Sequence, residues 1–349
     1  MASSSTMADP IGPAHRHHDV RVHILPVRLC RKHLRHTAEN RQFDSFVLRG
    51  TITTLGFSMI HQHSLDTTII SVLNERAKKL EDALAMSVLA YVGSIHPGFL
   101  RTFRDADEII RRRARFANSI GVLLRTGGGS AETAESMATI LRNHFSEVNF
   151  IVPDIAMSAG TILCMSGDRI YMDYSSALGP IDPQVISPDG TGYIAAMGYL
   201  DKVEEITAKS TLSQADVVFL RSIDLGRLAL YEQARSLSID LLKEWLVEFK
   251  FKNWTEHRTR NAGQPVTAEE KQQRAEAIAV ALSDHKRWRS HGRALDIRKL
   301  VKLGLEIDDY SKHDVLHRLI RAYNDPLSEY AERTGKTIFI HSHSLNGEL

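Results

Sequence analysis

Cysteine is nearly absent from this sequence, with only Cys30 and Cys164 among 349 residues. That scarcity excludes a disulfide framework and fits a reducing compartment. No apolar run approaches the roughly 20 residues of a membrane span, and no signal-peptide core follows the N-terminus. Charge of one sign is lacking too: 44 Lys and Arg stand against 42 Asp and Glu, a formal +2. No global field therefore points to nucleic acid or an anionic membrane surface. No His, Cys and carboxylate cluster has metal-ligand spacing. There is no internal repeat. The expectation from these absences is a cytoplasmic protein with neither metal nor cofactor. What is present is 43% hydrophobic and 25% charged residues, enough for one large core with extensions.

Residues 1–45 are rich in Ser, His and Arg and carry little apolar periodicity, which predicts a disordered tail. His15, His17 and His18 lie in it without a carboxylate or cysteine to complete a metal site. A helix is predicted from Asp66, as N-cap, to Met86, with Ile69, Val72, Leu73, Ala77, Leu80 and Leu84 as its stripe. Alternating units follow. Strands are predicted at 88–92, 121–124, 148–152 and 169–172, and helices at 105–118, 131–145 and 158–166. Short apolar strands alternating with helices predict an α/β fold whose mostly parallel sheet is covered by helices.

After Gly192 the chain reads helical, with its longest helix at 224–251. The stripe Leu228, Tyr231, Leu242, Trp245 and Phe249 reads as core or interface. A capped helix follows at 267–283. The expected division is a domain over 66–310, with its core at 87–210 and a helical extension at 211–310. Residues 311–349 read as a peripheral C-terminal tail.

Two loops carry chemistry. Leu124-Arg125-Thr126-Gly127-Gly128-Gly129-Ser130 joins a strand to a helix. Its glycines let backbone N–H groups approach developing negative charge. A phosphate loop is the rival reading, but G-x-G-x-x-G is missing because Glu132 stands where the last glycine belongs. Ala156-Met157-Ser158-Ala159-Gly160 also lies between strand and helix, and small residues flank its serine. That is the arrangement of a nucleophile elbow; an N-cap serine is the plainer reading. One helix and one strand separate the loops, which brings two parallel-strand C-termini together at the edge where α/β sheets bind ligands. Ser175-Ser176-Ala177-Leu178-Gly179-Pro180-Ile181-Asp182-Pro183-Gln184 then forms a rigid turn.

With Tyr91-Val92-Gly93-Ser94, these segments resemble the ClpP class of serine peptidases. The branch is the one called serine dehydrogenase proteinase (SDH_sah), related to signal peptide peptidase A and the stomatin-operon membrane peptidase. The motif-bearing likeness runs from Val88 to Gln184 and more loosely to Asp309. It implies a ClpP/crotonase-like fold, acyl transfer by a serine endopeptidase, a peptide or protein substrate, and a homo-oligomer. By position it implies Ser158 as nucleophile, and the N–H groups of Gly128 and Ala159 as oxyanion hole within the loop Gly127, Gly128 and Gly129. Where the family commonly has T-P-G-G this chain has Thr126-Gly127-Gly128-Gly129, a looser loop.

The residues leave the base open. No histidine lies between Ser158 and His257, so the order found in ClpP fails. The signal-peptide-peptidase branch implies a Ser-Lys dyad. Lys202 has the matching position, with Lys209 seven residues on as the substitute; a lysine base must be desolvated so that its neutral amine exists. His291 is the other candidate, as base, substrate contact or structural histidine. His96 reads as a turn histidine beside the same cleft. Thr334-Gly335-Lys336-Thr337 is no ATP loop, since Tyr330 replaces the required glycine; any partner ATPase is a separate protein. Two alternatives to a peptidase stand: a crotonase-like acyl-CoA enzyme, and a non-catalytic oligomeric scaffold on the same fold.

Overall fold

The computed structural model describes residues 45–113, 115–186, 193–257 and 262–345. The tail expected at 1–45, with His15, His17, His18 and Cys30, lies outside the described residues except for Ser45. The chain divides into the units Met1–Met59 and Ile60–Leu349; of the first, only helical backbone from residue 45 is described.

The elements run in chain order α1 (Ser45–Leu84), β1 (Ser87–Gly93), α2 (Leu100–Arg113), β2 (Ser119–Arg125), α3 (Ala131–His144), β3 (Glu147–Val152), β4 (Ile155–Ala156), α4 (Ala159–Met165), β5 (Arg169–Met172) and β6 (Ala177–Leu178). Then come β7 (Gln184–Ile186), β8 (Tyr193–Ala195), α5 (Ala196–Thr207), α6 (Gln214–Ser222), α7 (Leu225–Trp245), α8 (Ala268–Ser283), α9 (His285–Trp288), α10 (Ile297–Leu303), β9 (Asp308–Asp309), α11 (Asp314–Arg333) and β10 (Ile338–His341).

The main sheet has the order β10-β1-β2-β3-β5-β9. Every pairing in it is parallel except that of β10 with β1. The strands are continuous apolar runs because both faces are buried, and alternate side chains serve opposite faces. On one face Leu89, Tyr91, Val122, Leu124, Phe150 and Met172 meet Phe103, Met137, Leu163, Leu242 and Ile278 from the helices α2, α3, α4, α7 and α8. On the other, Val88, Ala90, Leu123, Ile151 and Tyr171 meet Leu73, Ala77 and Leu80 of α1 and Ile320, Tyr323 and Leu327 of α11. Leu242 and Trp245 of the α7 stripe are buried.

Three expectations need correction. Helix α1 begins well before Asp66, which is a mid-helix residue and not an N-cap. The helix expected at 105–118 starts at Leu100, after a single 3-10 turn opened by Pro97, and ends at Arg113. Of the tail expected at 311–349, the described residues, to 345, are not peripheral: α11 fills one face of the core and β10 is an edge strand, pairing Ala90 with His341 and Val92 with Phe339.

The β10 edge holds a buried histidine. The Tyr323 hydroxyl pairs with His341 Nδ1 at 2.7 Å, and His341 is 5% exposed. Burial, together with the nearby His343, lowers its pKa from the ordinary 6.5 to about 4. The unfolded chain takes up this proton near pH 6.5 and the folded chain only near 4, so stability is lost as pH falls between them. The loss reaches ~3 kcal/mol at most. The Glu81 carboxylate, 3.0 Å away, holds the His343 pKa up, so its contribution is complete below pH 6.5 and constant across this window. Asp107, which burial pushes up to about 6, acts in the opposite direction. The comparison is therefore between variants: in denaturant unfolding at pH 7 and pH 4.5, the wild type should lose more stability than His341→Gln. Equal losses would show that His341 titrates normally.

Candidate active site

Helices that begin at Ser130, Ser213 and Thr267 are capped in the usual way, by an extended residue whose hydroxyl accepts a backbone N–H. Ser158 precedes α4 but does neither. Its backbone lies at φ 53° and ψ −117°, and its hydroxyl makes no cap bond. A left-handed φ on serine costs about 1–3 kcal/mol and persists only where the surroundings enforce it. Here they do. Met157 N–H donates to Thr126 O at 3.0 Å, Thr126 N–H to Ile155 O at 3.0 Å and Gly160 N–H to Met157 O at 2.8 Å. Thr161 Oγ1 donates to Ala156 O at 2.8 Å and accepts Gly179 N–H at 2.9 Å. The N-cap reading of Ser158 is thereby replaced by an elbow with a free hydroxyl.

The glycine loop stands against this serine. A Cβ on Gly128 would lie 2.9 Å from both Ser158 Cβ and Met157 O, and 3.5 Å from Ala159 N. Gly129 is pressed harder: its Cβ would fall 1.9 Å from Ile95 O, the carbonyl that accepts Ser130 N–H at 3.0 Å. Gly127 has open space, so packing there does not require glycine. The N–H of Ala159, first residue of α4, precedes the first intrahelical bond and is a donor available at the elbow. Gly128 N–H donates to Thr126 Oγ1 at 3.0 Å, so it reaches an oxyanion only by exchanging that bond.

The candidate bases separate clearly. Lys202 Nζ bonds Glu205 at 3.0 Å with its side chain 48% exposed, and Lys209 Nζ bonds Asp216 at 2.7 Å with 39% exposed. Neither is desolvated, and the contacts they make are on α5 and α6 rather than at Ser158. Asp201, the neighbour of Lys202, is taken by His285 at 3.1 Å and Lys286 at 2.8 Å. His96 accepts Gly98 N–H on Nδ1 at 3.1 Å and is exposed, a turn histidine as expected.

His291 is different. Its Nδ1 lies 3.0 Å from Asp182 Oδ1, with the carboxylate 2% and the ring 15% exposed. The segment after His291 docks on β6 by two bonds, Leu178 N–H to Leu295 O at 3.1 Å and Leu295 N–H to Leu178 O at 2.8 Å, and β6 pairs with β4 ahead of the elbow. The strip then passes Gly179, where an added Cβ would lie 3.3 Å from Met157 Cα. Asp182 was visible in the sequence as the acid between Pro180 and Pro183, yet nothing nearby in the chain assigned it a partner.

Among the described residues, no helix is long and apolar enough to cross a membrane. Two uncharacterized proteins of Methanocaldococcus jannaschii are similar to this chain. One is 32% identical over 230 residues, covering 65% of this chain and 67% of its own length. The other is 25% identical over 228 residues, covering 65% of each. Among solved structures, two forms of the 1510-N membrane-bound stomatin-specific protease align with TM-scores of 0.39 and 0.38, at 14% and 16% identity. They cover 65% and 63% of this chain and 81% and 73% of theirs. The second is in complex with a substrate peptide. The family of ClpP-like SDH-type serine proteinases matches residues 89–273, more than half of the sequence and all of the elbow, the glycine loop and Asp182. This chain belongs to that family.

Proposed function

We propose that the protein is a serine peptidase that cleaves peptides or unfolded protein segments through an acyl-enzyme on Ser158. The observation that carries the reading is the Ser158 backbone, held at positive φ with its hydroxyl free and Gly128 against its Cβ. His291 acts as base. Its Nδ1–H donates to buried Asp182, which leaves Nε2 as the proton acceptor. Ser158 Oγ attacks the scissile carbonyl as His291 takes its proton. The tetrahedral oxyanion is met by Ala159 N–H and the glycine loop. Collapse expels the amine, which receives the proton from His291, and water repeats the sequence on the ester. The residues run Ser, Asp, His in chain order, one of several orders that build the same constellation.

Lys202 takes no part in this scheme, because it is exposed and ion-paired with Glu205. The chemistry needs no cofactor. A homo-oligomer in the cytoplasm, with or without a separate ATPase, is compatible with the reading.

The test is reaction of the folded protein with a fluorophosphonate and mass mapping of the adduct. The expected adduct sits on the peptide that carries Ser158. A folded sample that stays unlabelled across neutral pH, or is labelled at another serine, would overturn the assignment.

A further inference from the structure

The loops that carry Ser158 and Asp182 share one cationic anchor, and it comes from a part of the chain beyond the family match. His317, Arg321 and Asn324 lie on one face of α11 by helical spacing. Arg321 reaches both loops at once. Toward the Ser158 side its guanidinium donates to Asp154 Oδ1 at 3.0 Å and Pro153 O at 2.9 Å. Toward the Asp182 side it donates to Asp173 Oδ2 at 2.6 Å and Ser175 Oγ at 2.6 Å. Asn324 Nδ2 adds a bond to Asp154 Oδ2 at 2.9 Å.

The acceptors are themselves fixed. Asp173 is fully buried, and its Oδ1 accepts Ser175 N–H at 2.8 Å and Ser176 N–H at 3.0 Å. Ser176 Oγ donates across to Pro153 O at 3.2 Å. Burial alone would raise the Asp173 pKa, but Arg321 and Ser175 together hold it at about 2. Beyond the anchor the two loops pair as β4 and β6, Ile155 with Ala177 and Ala156 with Leu178. One then turns into Ser158; the other runs past Met157 to Asp182.

We infer that Arg321 is a positioning residue for the Ser158 site: it sets the register of β4 against β6 and hence the place of the nucleophile relative to the Asp182–His291 pair. The planar fork of arginine suits this task, because one group must satisfy four acceptors in two directions. It touches no reacting atom. The inference rests on the peptidase reading above.

The experiment compares Arg321→Ala and Arg321→Lys with wild type, and uses the exposed neighbour Arg318→Ala as control. Fluorophosphonate labelling of Ser158 is followed against pH, and hydrogen exchange of segments 153–165 and 173–183 is measured on the same samples. The Arg321→Ala plateau rate should fall on the order of 100-fold with an unmoved pH midpoint, since the base is intact. Added guanidinium ion should restore part of the rate, which a loss of global stability would not allow. Arg321→Lys should fall between, and both segments should exchange faster in Arg321→Ala while the β1–β2 core does not. Wild-type labelling rates in folded Arg321→Ala, or unchanged exchange in both segments, would overturn the inference. If Arg321→Ala does not fold, Arg321→Lys carries the same comparison. Wild type that never labels while exchange responds as expected would instead sink the peptidase reading, and the positioning role with it.

Discussion

Replacing Asp182 with asparagine is expected to slow acylation of Ser158 by about 1,000- to 10,000-fold, while the fold survives. The carboxylate is 2% exposed and accepts from His291 Nδ1. In the proposed mechanism it fixes the tautomer in which Nε2 has a lone pair, and it stabilises the imidazolium that would form when that lone pair takes the serine proton. An asparagine of the same shape can turn its amide N–H toward Nδ1. The ring proton then moves to Nε2, and the base becomes a donor that cannot accept. Ser158→Ala should abolish labelling outright, and His291→Ala should match or exceed the Asp182→Asn loss. Lys202→Ala should stay within a few-fold of wild type, because the side chain is exposed and its partner is Glu205. The check is the second-order rate of fluorophosphonate labelling for all four variants, with folding verified by unfolding midpoints. A Lys202→Ala collapse alongside a normal Asp182→Asn rate would reinstate the Ser-Lys dyad.

The sequence made some of this legible and hid the rest for identifiable reasons. Strands β1, β2, β3 and β5 could be read because strands buried on both faces are short apolar runs bounded by polar turns. The glycine loop and the elbow could be read because each lies within a few consecutive residues. The strain at Ser158 could not, since nothing in serine predicts φ 53°; it is imposed by Thr126, Gly160 and Thr161 from both sides of the chain. The Asp182–His291 contact joins residues 109 apart, through docking of Leu295 on Leu178, and no local periodicity encodes that. Strand β9 is two acidic residues, Asp308 and Asp309, with no strand composition. Strand β10 has strand composition, Ile-Phe-Ile-His, but is separated from its partner β1 by nearly the whole domain. For the same reason nothing local marks Arg321, whose partners Asp154 and Asp173 lie more than 140 residues earlier in the chain.

The three adjacent glycines should respond to alanine in three different ways. Gly129→Ala should be the most damaging to the fold, by roughly 2–6 kcal/mol, a large part of a typical domain's stability. Its φ is +152° and the new Cβ would fall 1.9 Å from Ile95 O. That carbonyl cannot retreat cheaply, because it accepts Ser130 N–H while Ile95 N–H donates to Gly128 O at 2.9 Å. Gly128→Ala should cost less stability and more chemistry. Its Cβ would press on Ser158 Cβ and Met157 O at 2.9 Å, displacing Ser158 and crowding the space proposed for the oxyanion, with a labelling loss of about 100-fold or more. Gly127→Ala meets nothing within 4 Å, and should be neutral or slightly stabilising by restricting the unfolded chain. Denaturant midpoints and labelling rates on the three variants separate these effects. A Gly128→Ala protein that labels at the wild-type rate would mean that the loop is only a tight strand-to-helix turn. The reverse order, with Gly127→Ala the worst of the three, would mean that the loop adopts another conformation when the site is in use.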